Sequence, residues 1–237
     1  MKATVIVPTY NERDNIRQLV DLILAQPTPV DVLIVDDNSP DGTGELADQL
    51  AAQRDGRVAV IHRPGKLGLG TAYIAGFKQA LAAGAERIIT MDADFSHHPR
   101  YIPDLLGRSV RADLVIGSRY VPGGGTRFCS LKRRLLSRGA NLFARLMLGL
   151  QAHDCTAGFR CYRREVLQSI DLDAIFSDGY SFLIEMIYKV QRKGWRVAEV
   201  PIIFEDRRHG LSKISRVEIV KALYTVLRLA PHRFIRP

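Results

Sequence analysis

The hydrophobic and polar positions of this 237-residue chain alternate between two periods. Five short runs, Thr4–Val7, Val32–Val35, Val58–Ile61, Ile88–Met91 and Leu114–Ile116, are β-branched and almost wholly apolar, as strands buried on both faces of a parallel sheet must be. Between them lie amphipathic stretches. Ile16, Leu19, Val20, Ile23 and Leu24 share one face at helical spacing, with Asn11 placed as N-cap, and Tyr73, Ile74, Phe77 and Leu81 share another. This alternation predicts an open, mostly parallel α/β sheet wound from β-α-β units, with helices on its flanks.

After Ile116 the rhythm changes. Tyr120-Val121-Pro122-Gly123-Gly124-Gly125 is a loop signal. Leu135–Leu150 reads as a helix carrying Leu142, Phe143, Leu146, Met147 and Leu150 on one face. Ser181–Arg192 reads as another helix and Trp195–Phe204 as extended chain. Ser215-Arg216-Val217-Glu218 is a capping-box pattern opening a last helix to about Ala230. That amphipathic segment interleaves Val217, Val220, Leu223, Tyr224, Leu227 and Leu229 with Arg216, Lys221 and Arg228. Its apolar face, like that of the Leu142–Leu150 stretch, suits core packing and a lipid interface equally, because both use one period. No apolar run reaches the ~18 residues of a membrane span. The run before Pro8 is too short for a signal peptide, so a soluble or membrane-surface protein is expected.

Charge adds a division that hydropathy does not show. The formal net charge is +9, from 34 Lys+Arg and 25 Asp+Glu. Residues 1–99 hold 9 basic and 13 acidic groups, whereas residues 100–237 hold 25 and 12, nets of −4 and +13. The acidic half suits a cation; the basic half suits phosphate, a membrane surface or nucleic acid. Three cysteines, Cys129, Cys155 and Cys161, with no C-x-x-C, argue for a reducing compartment and against a disulfide framework or a zinc site.

In open parallel sheets ligands bind beyond the carboxyl ends of the strands, and the unusual residues of this chain fall there. The five strands run into Pro8-Thr9-Tyr10-Asn11-Glu12, Asp36-Asp37-Asn38-Ser39, Gly65–Gly70, Asp92-Ala93-Asp94-Phe95-Ser96-His97-His98 and Gly117-Ser118-Arg119-Tyr120. Several motifs are excluded. The Asp37–Asp48 loop lacks the final Glu and the preceding helix of a calcium loop. Gly65–Gly70 lacks the ending of a phosphate loop and fails the dinucleotide fingerprint. His97 and His98 are adjacent, so one helix face cannot present both to zinc, and a helix-start or supporting role fits them better. Asp92-Ala93-Asp94 at a strand end is a fitting seat for a hard divalent cation, Mg²⁺ or Mn²⁺, which binds through one or two carboxylates plus substrate phosphates.

Taken together these motifs resemble a family 2 glycosyltransferase of the GT-A fold, and within it the polyprenyl-phosphate (dolichyl-phosphate) mannose synthases. The matching blocks span nearly the whole chain, from Val7-Pro8-Thr9-Tyr10-Asn11-Glu12 to Asp154-Cys155-Thr156-Ala157-Gly158-Phe159-Arg160 and Phe204–Lys213. The resemblance implies a single domain over 1–237, with a nucleotide- and metal-binding half at 1–118 and an acceptor-binding half at 119–237. It implies that Pro8, Tyr10, Glu12, Val35, Asp37, Asp92, Ala93 and Asp94 line the nucleotide-sugar pocket. Asp92 and Asp94 face the metal, joined by Ser96 directly or through water. Asp94, Arg119, Arg133, Ser137, Arg207 and Lys213 serve the reaction, the basic groups at the phosphates of donor and acceptor. The activity implied is transfer of mannose from GDP-mannose to a polyprenyl phosphate, peripheral on the cytoplasmic face of a membrane, with room for a separate membrane-anchoring partner protein. Two rivals remain: a UDP-glucose donor, which the strand-end motifs barely distinguish, and a nucleic-acid-binding protein. The aromatics form no stacking pattern and the Asp-rich rim repels phosphate, so no nucleic-acid partner is expected.

Overall fold

Seven strands of the computed structural model, which describes residues 1–205 and 216–231, make one sheet. In chain order the main strands are β1 (Ala3–Thr9), β2 (Asp31–Asp36), β3 (Val58–His62), β4 (Arg87–Thr90) and β5 (Leu114–Ser118). A short β6 (Gly125–Arg127) precedes β7 (Arg160–Arg163), β8 (Val197–Pro201) and β9 (Ile203–Glu205). The sheet order is β3-β2-β1-β4-β7-β5-β8, and β6 and β9 form a separate parallel pair. All five predicted strands are present and mutually parallel where they pair. The pattern does not predict β7, which lies antiparallel between β4 and β5.

Alternate strand residues face opposite layers, as a pleated strand requires. Ile6, Leu33, Val35 and Ile88 pack with α3 (Leu69–Ala82), α5 (Leu131–Leu148) and α7 (Tyr180–Arg192). Val5, Val7, Ile34 and Ile89 pack with α1 (Arg13–Leu24), α2 (Thr43–Ala52) and α4 (Ile102–Arg108). A short α6 (Arg164–Ser169) follows β7, and α8 (Arg216–Leu229) lies against α5 and α7. No helix among the described residues is long and apolar enough to cross a membrane.

Three local expectations change. Asn11 is not the N-cap of α1: it sits in the left-handed region at φ 58°, and Glu12 takes the cap position, its carbonyl accepting from the Ile16 N–H at 2.9 Å. Helix α5 starts a turn earlier than predicted, because the Ser130 hydroxyl accepts from the Arg133 N–H, and it ends where Gly149 turns left-handed. Its predicted apolar face is split. Leu150 is buried and Phe143 and Met147 are half-buried against the core, whereas Leu142 and Leu146 are 54% and 66% exposed, and the buried positions include Ala144 and Leu148, which lie off the predicted face. The same holds for α8, whose Val226 and Leu229 point inward while Val220, Leu223, Tyr224 and Leu227 are exposed. Ser215, the predicted cap of α8, and the candidate site residues Arg207 and Lys213 lie outside the described residues.

Close approach of α3 to β1 depends on Gly76. A Cβ there meets Ile6 Cγ2 at 2.6 Å, and Ile6 is wholly buried. Gly76→Ala is therefore expected to destabilise the fold by about 1–3 kcal/mol despite its better helix propensity. Chemical denaturation checks this; a variant as stable as the parent shows that the layers give way.

Candidate active site

Strands β1, β2, β4 and β5 end on one rim, and the two carboxylates closing β2 part company there. Asp36 is buried and accepts from the Thr9 hydroxyl (2.9 Å), the Ser39 N–H (3.0 Å) and the Ser39 hydroxyl (2.6 Å), so it knots the strand ends. Asp37 accepts from Arg63 Nε, and Arg63 also donates to the Thr71 hydroxyl (2.7 Å) and the Gly68 carbonyl (3.1 Å). Burial pushes the Asp37 carboxyl up, and the Arg63 hydrogen bond and charge offset this only in part. Arg63 thus ties the β2 end to the glycine loop before α3. Lys66 Nζ, from the same glycine loop, lies 4.2 Å from the centre of the Tyr10 ring. Glu12 is nearly buried at the start of α1, where its carboxylate accepts from Asn15 and its N–H donates to the Thr43 hydroxyl. Pro8 pairs in register with Val35 at the strand ends. The side chains of Val35 and Ala93 belong to the core, which leaves only their main chain to the rim.

The turn after β4 holds its two carboxylates differently. Asp92 Oδ1 accepts from the Tyr73 hydroxyl at 3.2 Å, and Asp92 Oδ2 lies 3.6 Å from His97 Nδ1. His97 is buried, stacked on Phe159 and edge-on to Phe204. Asp94 Oδ1 accepts from the Ser96 N–H at 3.0 Å, and Phe95 between them sits at φ 60°. A bulky residue in the left-handed region is rare and marks strain held by its surroundings. His98 caps the turn at Pro99–Tyr101 by accepting from the Arg100 N–H, so the two histidines take the supporting and helix-start roles expected.

No group of three His, Cys, Asp or Glu side chains among the described residues is placed to hold a metal. Mg²⁺ or Mn²⁺ does not need one, since one or two carboxylates, waters and substrate phosphates complete its oxygen shell. The Asp92 carboxylate is held by the Tyr73 hydroxyl, its N–H donates to His97 Nδ1 at 3.4 Å, and a third of its side chain stays exposed, so the donor set fits such an ion. Ser96 is buried and serves the turn through its backbone.

The third corner is built on a buried ion pair. Arg119, directly after β5, donates from Nε and Nη2 to the two oxygens of Asp154, each at 2.7 Å, and from Nη2 to the Thr156 hydroxyl at 2.8 Å. Asp154 is wholly buried. Burial pushes its carboxyl up, but the Arg119 charge and hydrogen bonds outweigh this and hold it below the usual carboxylate range. Asn141 of α5 donates to the Ser137 carbonyl and the Thr156 hydroxyl and accepts from the Cys155 N–H, while the Tyr120 hydroxyl donates to Ser137 Oγ at 2.7 Å. Arg133 stands one turn before Ser137 on the same helix face. Phe204 joins the corners: its ring lies 5.3 Å from the Arg119 guanidinium carbon and 5.6 Å from the His97 ring.

Of the residues picked from sequence, the rim therefore gathers Pro8, Tyr10, Glu12, Asp37, Asp92, Asp94, Arg119 and Ser137, with Arg133 one turn away. Arg63, Tyr73, Asn141 and Asp154 were not singled out. Cys155 and Cys161 are buried thiols whose pKa burial pushes up to about 12, and no cysteine is paired.

A model of the family described as glycosyl transferase family 2 matches residues 4–171. The chain is 48% identical over 226 residues to a polyprenol monophosphomannose synthase of Mycolicibacterium smegmatis, covering 95% of this chain and 85% of that protein. It is 46% identical over 228 residues to an undecaprenyl-phosphate mannosyltransferase of Micrococcus luteus, covering 96% and 93%. Among solved structures, glucosyl-3-phosphoglycerate synthase of Mycobacterium tuberculosis with Mn²⁺, UDP and glucosyl-3-phosphoglycerate superposes with a TM-score of 0.68 over 97% of this chain and 80% of that one. At 22% identity that likeness is one of fold, and it bears out the GT-A sheet expected from the motifs.

Proposed function

The chain belongs to glycosyl transferase family 2, and from that premise we propose that it moves mannose from GDP-mannose to a polyprenyl phosphate, inverting the anomeric carbon. The observation that carries this reading is its likeness, along nearly the whole chain, to two mannosyltransferases named for polyprenyl acceptors.

The site chemistry agrees with such an acceptor. A phosphate monoester needs no general base: with a second pKa near ~6 it is already largely dianionic at neutral pH. The demand on the protein is to bring two anions together. Asp92 and Asp94 would hold Mg²⁺ or Mn²⁺, which neutralises charge on the departing diphosphate when bound. The Tyr73 hydroxyl fixes the Asp92 carboxylate, His97 Nδ1 accepts from the Asp92 N–H, and the Ser96 N–H fixes the Asp94 carboxylate. Asp37 and Tyr10 flank the pocket for the nucleoside. Arg119, Arg133 and Ser137 are assigned to the phosphates, and the same role is assigned to Arg207 and Lys213 from the sequence alone. Arg119 meets them with the edge that Asp154 leaves open, because its bidentate edge is taken. The enzyme works at the cytoplasmic face of a membrane, held peripherally or by a separate anchoring partner. The exposed leucines of α5 and the exposed face of α8 support this placement.

The test is purified protein with Mn²⁺, a short polyprenyl phosphate and labelled GDP-mannose, GDP-glucose and UDP-glucose. Label is expected to reach the lipid from GDP-mannose at least about 100-fold faster than from UDP-glucose, the discrimination that specific hydrogen bonds to a base provide, and faster than from GDP-glucose, which differs only in its sugar. Preferential transfer from UDP-glucose overturns the donor; no transfer to the lipid from any donor overturns the acceptor.

A further inference from the structure

Gly68-Leu69-Gly70 stands out in the sequence, yet neither the donor nor the acceptor assignment uses it. Gly68 is the N-cap of α3 and has no side chain to bond the free N–H groups of the first turn. The acceptor comes from 108 residues further along the chain: Asp178 Oδ1 accepts from the Gly70 N–H at 2.9 Å. A carboxylate also suits the positive end of a helix. Gly68 makes room for it. Gly68 sits at φ 100°, and a Cβ there would fall on the Asp178 carboxylate. Gly70 is pressed in the same way, since a Cβ would meet Phe182 Cδ2 at 3.0 Å.

Asp178 is itself held from both sides. Before it, Ser177 donates from its N–H and its hydroxyl to the wholly buried Glu185. After it, the Gly179 N–H donates to Asp178 Oδ1 at 2.7 Å, and the Tyr180 N–H donates to Glu218 of α8 at 3.3 Å. The segment is thus tied to α7 and α8 before it touches the glycine loop. On the far side of that loop lies the nucleotide pocket. Arg63 donates to the Gly68 carbonyl and to Asp37, and the Leu67 N–H donates to the same Asp37 carboxylate. The loop is bonded to Asp37 at Leu67 and to Asp178 at Gly70, so it is fixed at both ends of a short span. Tyr73, one turn on, stacks on Phe182 and donates to Asp92.

We propose that Asp178 is a positioning residue of the nucleotide pocket: it caps α3 from a distant segment, holds the glycine loop against Asp37, and so sets the affinity for the nucleoside diphosphate rather than the rate of transfer. This rests on the donor pocket proposed above. A pocket wall ordered before the ligand arrives spares the ligand the cost of ordering it. Once donor is bound, its own contacts hold the loop, and the chemical step is left as it was.

The full chain and its variants are compared in three ways: calorimetric titration of GDP and of UDP with Mn²⁺, steady-state kinetics with GDP-mannose, and hydrogen exchange of amides 65–72 without nucleotide. Asp178→Ala should weaken nucleotide binding by about 10-fold, as loss of one charge-assisted contact predicts. KM for the donor should rise by a similar factor, kcat should stay within about 2-fold, and the loop amides should exchange faster. Asp178→Asn keeps an oxygen for the Gly70 N–H and should fall between parent and Asp178→Ala. Asp113→Asn is the structural control. Asp113 is buried at the opposite end of β5, where it binds Arg163 and Arg196. That change should lower stability and leave affinity and loop exchange as in the parent. Unchanged exchange or unchanged affinity in Asp178→Ala overturns the proposal, as does a fall in kcat with KM unchanged, or the same affinity loss in Asp113→Asn. The donor reading is judged separately, on the parent: preference for UDP changes the donor and leaves the role of Asp178 standing, whereas a parent that binds neither nucleotide overturns both.

Discussion

Asp94→Asn is expected to lower turnover by about 10²–10³-fold while leaving the fold intact, the loss typical of removing one preorganised group that meets developing charge. Asn keeps the shape of the side chain and an oxygen able to accept from the Ser96 N–H, so the turn after β4 retains its hydrogen bond. What it loses is the negative charge that would hold a divalent cation against the diphosphate. Wild-type activity should accordingly vanish in EDTA and return with Mn²⁺ or Mg²⁺. The variant should need more metal for whatever activity is left. Rates across a metal titration, alongside thermal unfolding of both proteins, decide it. Full turnover of the wild type in EDTA, or wild-type metal dependence in Asp94→Asn, removes Asp94 from the metal site.

Some of this architecture was readable before the fold was known, and the division has physical causes. The first five strands announce themselves because a strand buried on both faces has to be apolar throughout, as Val32–Val35 is. β7 does not, because it reads Arg-Cys-Tyr-Arg. Its Arg160 is nonetheless wholly buried, its Nε and Nη groups donating to the carbonyls of Ala157, Leu183 and Cys155. A pattern that counts Arg as polar has no means of seeing carbonyls gathered from two segments, 155–157 and the helix α7. Helix α5 shows the opposite difficulty. Its leucines recur at helical spacing on more than one side, so periodicity alone does not say that Ala144 and Leu148 face inward and Leu142 and Leu146 outward. At the site, Asp92 and Asp94 stand out because two carboxylates at a strand end are unusual. Their supports do not, since Tyr73 lies in an ordinary amphipathic helix and touches Asp92 only across 19 positions of chain. Asp154 and Arg63 likewise acquire meaning only from partners distant in sequence, Arg119 and Asp37.

The Arg119–Asp154 pair makes the second large prediction, because stability and turnover are bound together there. Removing either partner leaves a buried charge alone, which costs about 3–5 kcal/mol. Arg119→Ala should therefore lose both turnover and stability, and lost activity in that variant would not by itself place Arg119 at a phosphate. Asp154→Asn separates the two. It retains an acceptor for Arg119 and the shape of the site, but gives up the charge that anchors the guanidinium. Turnover should fall by about 10-fold or more, while GDP binding changes little, since the contact matters most when two phosphates meet. The pH dependence gives an independent check. The folded Asp154 carboxyl lies below its ordinary value near 3.8, so the pair's stabilisation is present above that value and is lost as pH falls through the folded pKa. Acid unfolding of the wild type below about pH 4 should thus include a component that Asp154→Asn lacks, the variant being less stable at neutral pH and closer to the wild type in acid. Unfolding curves at neutral pH and in acid measure that convergence directly. If the stability gap between the two proteins stays constant as the pH drops, the buried pair is not what holds this corner, and Arg119 is free to be judged on turnover alone.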